Sequence, residues 1–477
     1  MLDALLRYHD HPWAPFHTPG HKHGRAADPD ALRLLGEGAF ARDLTELDET
    51  DSLHAPEGVI AEAQVLAARA FGADQTHFLV NGSTGGIHAM VMAAVAPGEA
   101  IALSRASHLS VLGAVVLAGA RPVFAGASWD ADWQLPLPPS TAALEAAFEA
   151  QAGLRAVLVT RPDYFGRAVS LSPYAEACRR HDRLLLVDEA HGAHLGLDPR
   201  LPASALAQGA DAAVQSTHKL LSGLTQASML HLKGDRLASA RVRKMLRLLQ
   251  TTSPSYLLMA SLDAARRHRQ TRGAAEWQEA IALIDEARER LDRHGVPCLG
   301  PGHGPAGEWD PAKLIVDLSG TGHDGYGVAD HLHDFFHVQV ELATPRYLGA
   351  LAGPGNTREE LDRLVDGILS ALFLPAQKAG AFPEVPPDPE LVVLPRDAHL
   401  GPSRGVPFAQ AEGEIAAEWV CPYPPGVPAL IPGERITRQV LEYLNALRAL
   451  GAEFVGPEAP DLETLQVCAP RTALTPC

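Results

Sequence analysis

The stretch L-L-L-V-D-E-A-H-G-A-H, from Leu184 to His194, is an apolar run that ends in a carboxylate, Asp188. Such a run predicts a buried parallel strand that meets its loop at the aspartate. In open α/β sheets, ligands bind at the edge where the strands end. Asp188 is therefore predicted to lie at a ligand-binding edge, whereas the simpler interpretation makes it a cap for the following turn.

A second apolar run ends in a lysine-containing turn, Q-S-T-H-K-L-L-S-G-L, from Gln215 to Leu224. The Lys219 amine can form a Schiff base with an aldehyde cofactor, and neighbouring hydroxyl and imidazole groups can hold a phosphate. The Asp188 carboxylate can hydrogen-bond a protonated pyridine nitrogen. Taken alone, a lysine after a strand is usually a solvated loop residue, but the two features together indicate pyridoxal 5'-phosphate.

A glycine-rich turn lies upstream in T-H-F-L-V-N-G-S-T-G-G-I-H-A-M, Thr76 to Met90, between a strand-like run and a helix-like segment. Backbone N–H groups and hydroxyls at a helix N-terminus form an anion site. The alternative is an ordinary Ser/Thr helix cap. The predicted phosphate cradle consists of Gly82, Ser83, Thr84 and Gly85.

Another short strand, Ala100 to Leu103, leads into S-R-A-S-H-L-S-V, Ser104 to Val111. His108 falls where a planar side chain could stack on the pyridine ring. A lone histidine is more often a surface or core residue, so spacing alone leaves both interpretations open.

The letters D-E-A-H, Asp188 to His191, also spell the metal-binding motif of a helicase class. That class needs a phosphate loop of the form G-x-x-x-x-G-K-[S/T], and the sequence contains no Gly-Lys pair. The 40 basic and 57 acidic residues give a formal net charge of −17, which offers no electrostatic footprint for nucleic acid. We therefore reject the helicase interpretation and expect no nucleic-acid partner.

Composition agrees with a compact enzyme of several domains. The 477 residues are 46% hydrophobic and 20% charged, which suits well-buried units. No apolar run approaches the ~18 residues of a membrane span, and Met1-Leu2-Asp3 does not begin a signal peptide. Five scattered cysteines without a C-x-x-C pair predict reduced thiols and a cytoplasmic location.

Taken together, these blocks resemble the bacterial-type ornithine/lysine/arginine decarboxylases, in particular their small biosynthetic arginine decarboxylases without a wing domain. The similarity runs almost from end to end. The remaining blocks that carry it are F-H-T-P-G-H-K-H-G (Phe16 to Gly24), D-L-T-E-L-D-E-T-D-S-L-H-A-P-E-G (Asp43 to Gly58), Q-T-T-S-P-S-Y (Gln250 to Tyr256) and P-Y-P-P-G-V-P-A-L-I-P-G-E (Pro422 to Glu434).

The resemblance implies a role for each matching residue. Lys219 would be the Schiff-base lysine, Asp188 the partner of the pyridine nitrogen and His108 the ring-stacking residue. Either Lys219 or His218 would return a proton to the substrate. The remaining contacts to the cofactor would come from Gly82, Ser83, Thr84, Ala190, His191, Ser216 and His218. One departure from the family pattern is Asp163 in R-P-D-Y-F-G, where a threonine is expected.

The resemblance also implies an α/β fold of the aspartate aminotransferase type (fold type I), with a mostly parallel sheet in its large domain. We predict an N-terminal arm over residues 1–50, a cofactor-binding large domain over 51–270, a small α+β domain over 271–385 and a C-terminal domain over 386–477. Cofactor sites in the family form at a dimer interface, so a homodimer is expected.

The implied reaction is decarboxylation of a basic L-amino acid, with arginine the first choice and lysine or ornithine next. Another reaction on the same cofactor, and a catalytically silent cofactor-binding protein, remain alternatives. The substrate's distal cation needs a carboxylate partner, and the sequence does not rank the candidates, which are Asp43, Glu46, Asp48, Asp51 and Glu341.

Three local expectations concern secondary structure. The stretch up to Gly24 shows no helical period and predicts an arm. Residues 236–293 predict helices with a break at Ser253-Pro254. Two strands, Lys313 to Leu318 and His337 to Leu342, are expected to flank a helix. His333 and His337, four residues apart, could bind a metal on one helix face, but a polar helix surface is the preferred interpretation.

Overall fold

The computed structural model describes residues 1–126, 129–376, 383–423 and 426–470. Cys477, one of the five cysteines predicted to be reduced, lies outside these ranges. So do Pro424 and Pro425 of the C-terminal signature.

The α-helices in the described ranges are α1 (Leu2–His9), α2 (Pro29–Leu35), α3 (Glu37–Arg42), α4 (Val59–Phe71), α5 (Gly82–Ala94), α6 (Leu109–Ala118), α7 (Thr141–Ala150), α8 (Ser172–Arg180), α9 (Thr217–Leu220), α10 (Ser239–Leu249), α11 (Tyr256–His268), α12 (Ala274–Arg293), α13 (Gly325–His331), α14 (Arg358–Ala371), α15 (Pro395–His399) and α16 (Arg438–Ala449). Two π-helical segments, Arg269–Gly273 and Leu332–Phe336, and a 3₁₀ turn, Phe408–Gln410, complete the helical structure described.

The strands are β1 (Gln75–Leu79), β2 (Ala100–Leu103), β3 (Arg121–Phe124), β4 (Trp129–Asp130), β5 (Leu135–Pro136), β6 (Leu154–Thr160), β7 (Arg167–Ala168), β8 (Leu184–Asp188), β9 (Ala212–Gln215), β10 (Ser228–Leu232), β11 (Glu308–Trp309), β12 (Lys313–Asp317), β13 (Leu342–Ala343), β14 (Tyr347–Leu351), β15 (Ser403–Pro407), β16 (Cys421–Tyr423), β17 (Glu453–Val455) and β18 (Thr464–Cys468).

The chain divides into two compact units, and the first consists of Met1–Ala94, Thr160–Pro162 and Ser170–Trp277. Its strands β8 and β9 are parallel, with Asp188 opposite Val214. Strand β10 pairs antiparallel with β9 on one side and with β1 on the other. Because β8 and β9 run in the same direction, the residues that follow both strands lie at one edge of the sheet.

The N-terminus of this unit corrects one expectation. Residues 2–9 form helix α1, although no helical period was recognised in this stretch. Its side chains Leu5 and Tyr8 are buried in a core that includes Phe78 and Tyr256. The Met1 ammonium also forms a 3.0 Å ion pair with Asp263. The helix is only eight residues long, so tertiary packing rather than a visible sequence period stabilises it.

The second unit consists of Val95–Val159, Asp163–Val169 and Gln278–Cys477. Strand β2 pairs in parallel with β3 and β6. A three-stranded antiparallel sheet has the order β12-β14-β13, and its face packs in a core with Leu332 and Ile368. The C-terminal segment adds two antiparallel pairs, β15 with β18 and β16 with β17.

The strand predicted from His337 to Leu342 is wrong. A π-helical segment continues to Phe336, and His337 adopts a left-handed conformation with φ 52°. The strand begins only at Leu342, and β14, which the sequence analysis missed, pairs with the correctly predicted β12. His333 and His337 therefore do not share the face of one α-helix.

The predicted helical region over 236–293 is confirmed as α10, α11 and α12, with the break between Leu249 and Tyr256. Ser255 caps α11 by accepting a hydrogen bond from the Leu258 N–H, which is the usual helix-starting role of serine. Across the described residues, no helix combines the length and apolar character required to cross a membrane.

Candidate functional site

Lys219 lies in a one-turn helix, α9, immediately after strand β9. The turn is fixed by hydrogen bonds in which the Lys219 N–H donates to the Ser216 carbonyl and the Ser216 N–H donates to the Ala190 carbonyl. The Lys219 Nζ atom lies 2.8 Å from Nε2 of His191, whose side chain is buried. The short strand and tight turn thus present a half-buried amine against an imidazole.

Asp188 is the last residue of β8 and is only 2% exposed. Its Oδ1 atom accepts a hydrogen bond from the Ala190 N–H at 3.1 Å. The strand-end position and the burial agree with the sequence prediction. A buried carboxylate at this edge is suited to hold a protonated ring nitrogen, and the turn cap proposed as the simpler interpretation is also present.

The glycine-rich turn begins helix α5 at Gly82, which has φ 70°. The Ser83 hydroxyl lies 2.7 Å from the Ser216 hydroxyl, and both side chains are buried. Ser83 Oγ also donates to Ser228 Oγ at 3.2 Å. Thr84, by contrast, is exposed. The fold therefore brings together two hydroxyls from turns 133 positions apart. Both were predicted as phosphate contacts.

Gly86 allows α5 to pack closely on the strands beneath it. A Cβ atom at this position would lie 2.4 Å from Leu79 Cδ1 and 3.1 Å from Val214 Cγ1. We expect Gly86→Ala to destabilise the protein by about 1–3 kcal/mol because the core must shift. Thermal unfolding should show a lower Tm than for Gly153→Ala, a position with no heavy atom within 4 Å of the added Cβ. Equal melting temperatures for the two variants would contradict this prediction.

The Ala227 carbonyl holds His218 in place. It accepts a hydrogen bond from the His218 backbone N–H and lies 3.0 Å from Nδ1 of the His218 ring. A carbonyl only accepts hydrogen bonds, so Nδ1 carries the proton in this contact. The opposite ring nitrogen, Nε2, is then the atom that can exchange a proton when the ring is neutral.

His108 belongs to the second unit, where it caps helix α6. Its Nδ1 atom accepts a hydrogen bond from the Ser110 N–H at 3.1 Å and lies 2.8 Å from the Ser110 hydroxyl. These contacts fix the ring orientation. Its stacking on a cofactor ring stays a prediction.

The residues in the first unit fit pyridoxal phosphate by the chemistry of their donor groups. The amine of Lys219 suits the aldehyde, the buried carboxylate of Asp188 suits the ring nitrogen, and the paired hydroxyls at the start of α5 suit the phosphate. Thr217 Oγ1 is buried and has no hydrogen-bond partner among the described residues. This hydroxyl remains available to a bound polar group.

A buried polar network that was not predicted from the sequence lies beside Asp188. The Glu189 carboxylate is 0% exposed and accepts hydrogen bonds from Gln215 Nε2 at 2.8 Å and from the Ala205 N–H at 2.7 Å. Burial raises the pKa of Glu189 to about 7, although Arg161, 3.4 Å away, favours its charged form. The network continues from Gln215 to His231. The only signal in the sequence was an acidic residue next to a strand-end aspartate.

Several of the acidic candidates for substrate binding have local partners. Asp51 accepts hydrogen bonds from the backbone N–H groups of five residues, including Gly58 and Ile60 at 2.9 Å each, at the start of α4. Burial opposes these hydrogen bonds, but their combined effect keeps the pKa of Asp51 below its ordinary value. Glu46 accepts from the Ser52 hydroxyl and the Leu53 N–H. These two carboxylates hold the loop that precedes α4.

Glu341 lies in the second unit, where Tyr164 donates its hydroxyl hydrogen to the Glu341 carbonyl at 3.1 Å and lies 3.4 Å from its carboxylate. Burial, together with the negative charge of Glu341, keeps the pKa of Tyr164 well above its ordinary value. The tyrosine therefore keeps its hydroxyl hydrogen and remains a hydrogen-bond donor to Glu341.

Asp163, the departure from the family pattern, is half-buried and accepts hydrogen bonds from the Phe165 and Arg167 N–H groups at 2.9 Å each. Burial raises its pKa from 3.8 to about 6, against the opposing effect of Arg167. The pKa of Asp163 is higher in the native state than in the unfolded chain. Asp163 therefore contributes fully to stability below about pH 4, and this contribution is lost as the pH rises through about 6.

Asp163→Asn should remove this pH dependence, since the amide oxygen can accept the same two hydrogen bonds and does not ionise. We expect the wild-type free energy of unfolding to fall relative to that of the variant, by on the order of 2 kcal/mol, between pH 4 and 7. Thermal unfolding of both proteins across this range tests the prediction. Parallel Tm profiles would contradict it.

Comparison with protein families gives two matches. The family model described as "Orn/Lys/Arg decarboxylase, major domain" matches residues 1–301, and the model of the C-terminal domain of the same family matches residues 381–467.

Two relatives named arginine decarboxylase are similar over nearly their whole length. The protein from Halalkalibacterium halodurans is 37% identical over 482 aligned residues, which cover 99% of this chain and 98% of the relative. The protein from Bacillus subtilis is 37% identical over 467 residues, which cover 96% of this chain and 95% of the relative.

Solved structures share the fold. The lysine decarboxylase LdcF of Francisella novicida superimposes with a TM-score of 0.84 at 22% identity, over 98% of this chain and 80% of that chain. Alanine–glyoxylate aminotransferase from Nostoc sp. gives a TM-score of 0.53 at 19% identity, over 76% of this chain and 98% of that chain. The predicted α/β class, with a mostly parallel sheet and a C-terminal domain, is thereby confirmed.

Proposed function

Because the chain belongs to the Orn/Lys/Arg decarboxylase family, we propose that it is a carboxy-lyase that releases CO2 from a basic L-amino acid with pyridoxal 5'-phosphate as cofactor. The observation that supports this most strongly is the position of two side chains at the ends of adjacent parallel strands: the buried Asp188 ends β8, and the half-buried Lys219 follows β9. The paired Ser83 and Ser216 hydroxyls complete a site for the three functional parts of the cofactor.

When bound, pyridoxal phosphate supplies an aldehyde that captures the substrate amine and a cationic ring that accepts the electron pair left when CO2 departs. Asp188 would keep the ring nitrogen protonated. Ser83 and Ser216, with the N-terminus of α5, would hold the phosphate, and His108 would cover the ring face. In this proposal, Gly82, Thr84, Ala190 and His218 are further contacts to the cofactor.

Lys219 would anchor the cofactor and then return a proton to the substrate carbon. The His191 imidazole lies 2.8 Å from the lysine Nζ. It is therefore placed to form a hydrogen bond with the amine and to orient it. His218, whose Nδ1 is held by the Ala227 carbonyl, is the alternative proton donor through Nε2.

We propose arginine as the substrate, and agmatine as the product, because the two relatives at 37% identity are named arginine decarboxylases. A lysine decarboxylase from Pseudomonas aeruginosa and an ornithine decarboxylase from Escherichia coli are 26% and 24% identical. Among the acidic candidates, Asp51 and Glu46 hold their own loop, and Asp43 lies 3.2 Å from His21. Glu341 also has a partner, since its carboxylate lies 3.4 Å from the Tyr164 hydroxyl. We therefore favour Asp48, which belongs to the same unit as Lys219, as the partner of the guanidinium.

We also propose a homodimer in which residues 1–50 act as an arm on the second subunit. Large apolar side chains are exposed in this segment, with Phe16 at 98% and Leu34 at 83% exposure. A second copy of the chain would cover them. Light scattering should give twice the 50.7 kDa mass of the chain, and a monomer at assay concentration would contradict this part of the proposal. The predicted domain limits and the cytoplasmic location remain part of the same proposal.

The proposal is tested by incubating the purified, cofactor-loaded protein separately with L-arginine, L-lysine and L-ornithine. We expect CO2 together with agmatine from arginine. Cadaverine or putrescine as the main product would identify lysine or ornithine as the substrate and would leave the proposed decarboxylation in place. No CO2 from any of the three, in a protein that has bound the cofactor, would overturn the proposed activity in favour of another reaction or a silent cofactor-binding protein.

A further inference from the structure

The Glu189 carboxylate, which follows Asp188 in the chain, is bound from several directions. Its Oε2 atom accepts a hydrogen bond from Gln215 Nε2 at 2.8 Å, and its Oε1 atom accepts one from the Ala205 N–H at 2.7 Å. The Arg161 Nη1 atom, in the same compact unit, lies 3.4 Å from Oε1. Arg161 and Glu189 are both 0% exposed. The carboxylate is therefore held in one position without contact with water.

The partners of Glu189 also adjoin the groups proposed to bind the cofactor. The Arg161 backbone N–H donates to the Asp188 carbonyl at 2.9 Å, so Arg161 holds Asp188 through its main chain and Glu189 through its side chain. Gln215 is the last residue of β9 and directly precedes Ser216. Glu189 therefore links the end of β8 to the end of β9, where the proposed anchor lysine follows.

Gln215 is itself held in one orientation. Its Nε2 atom only donates and faces the carboxylate, so its Oε1 atom accepts from Nε2 of His231, 3.2 Å away. Burial, together with the positive charge of Arg269, lowers the pKa of His231 to about 3. The ring is thus neutral, and its Nδ1 atom accepts the hydroxyl hydrogen of Thr76 at 2.8 Å. All three hydrogen bonds point toward Glu189.

A buried ion pair is seldom more stabilising than well-packed apolar residues of the same size, because both charges lose their hydration. A fully hydrogen-bonded buried network does, however, impose one geometry on its members. The network around Glu189 is therefore better suited to fixing the end of β8 than to adding stability.

We propose that Glu189 is a positioning residue that fixes the Asp188 carboxylate where the ring nitrogen of the cofactor binds. The network thereby controls how tightly the cofactor is held, and Glu189 acts only through Asp188. This inference rests on the proposed binding of pyridoxal phosphate and on the proposed role of Asp188, but not on the choice of substrate or reaction. The residues that carry it all belong to one compact unit.

The test is a double-mutant cycle on the affinity for pyridoxal phosphate, measured by titrating cofactor-free protein and following its fluorescence. We expect Glu189→Gln and Asp188→Ala each to raise the dissociation constant about tenfold or more, in line with loss of one good contact. The double variant should bind about as tightly as Asp188→Ala alone, because both changes remove the same contact. Additive losses would overturn the proposal.

The absorption spectrum of the bound cofactor gives a second readout, which a purely structural role would not change. In Asp188→Ala the ring nitrogen has no carboxylate partner, so its protonation and the spectrum should change. We expect Glu189→Gln to change the spectrum in the same direction. A Glu189→Gln protein with a lower Tm but with wild-type affinity and spectrum would show that the network is structural only.

Asp211→Asn provides a matched control at the opposite ends of the same two strands. Asp211 directly precedes β9, and its buried carboxylate accepts a hydrogen bond from the N–H of Leu185 in β8 at 2.7 Å. We expect this control to lower the Tm without changing the affinity or the spectrum. An equal loss of affinity in the control would mean that any break between β8 and β9 weakens binding, and would overturn the role assigned to Glu189.

If Glu189→Gln does not fold, the same cycle is measured with Gln215→Met, which removes the hydrogen-bond donor to Glu189 at similar side-chain length. Coupling between this variant and Asp188→Ala supports the proposal, and additivity contradicts it. Failure of the proposed reaction would appear differently, because the protein would release no CO2 while the coupling in cofactor affinity remained. A wild-type protein that binds no pyridoxal phosphate would overturn both the proposed function and this inference.

Discussion

Lys219→Ala is expected to lower the rate of CO2 release from L-arginine by at least about 10³-fold. The physical reason is that the protein would lose the amine that we propose attaches the cofactor and returns a proton to the substrate carbon. The fold should persist, because Lys219 is only half-buried and its helical turn is held by backbone hydrogen bonds. The rate of CO2 release and the Tm are both measured on the same sample.

A second measurement separates attachment from activity. Borohydride reduction of the cofactor-loaded wild type should add the mass of the cofactor to the peptide that contains Lys219, and the alanine variant should show no such addition. Lys244→Ala, a replacement on the exposed surface of α10, is the matched control and should keep both activity and labelling. Full activity in Lys219→Ala would refute the assigned anchor.

Asp188→Asn is expected to give the next largest effect, a fall in kcat of about 10²–10³-fold with the cofactor still bound. The amide has nearly the shape of the carboxylate and can still accept the hydrogen bond that Asp188 Oδ1 takes from the Ala190 N–H. It has no charge with which to keep the ring nitrogen protonated. The loss should therefore appear in kcat more than in KM.

Asp211→Asn is the control for loss of a buried carboxylate in the same unit. The Asp211 side chain accepts a hydrogen bond from the Leu185 N–H and forms an ion pair with Arg236. We expect this change to reduce stability while kcat stays close to wild type. An equal loss of kcat in the two variants would mean that Asp188 acts through the fold, and the proposed contact to the ring would be wrong.

The local parts of the candidate site could be recognised in the amino-acid sequence. Asp188 ends one apolar strand, Lys219 follows a second, and Gly82 and Ser83 begin a helix after a third. Strand, turn and helix signals lie within a few consecutive residues, so they can be recognised without knowledge of the fold. The resemblance of the blocks then identified a family, which the comparisons show.

The sequence failed where long-range packing decides local structure. Helix α1 exists because Leu5 and Tyr8 bury in a core formed by distant residues, and a short helix has little stability of its own. The strand predicted from His337 does not form there: the chain leaves a π-helical segment whose last residue, Phe336, packs near Gly367 of α14, and the strand begins only at Leu342. Neither partner is visible in the local pattern.

Only the tertiary structure brought together groups that are far apart in the chain: the Ser83 and Ser216 hydroxyls, the Lys219 amine and His191 imidazole, and the Arg105–Glu434 ion pair. Distances of 2.6 to 2.8 Å between such groups depend on how strands and turns are placed in space. The sequence specifies which chemical groups are present, whereas burial and packing decide which of them meet and therefore which pKa values and hydrogen bonds the site has.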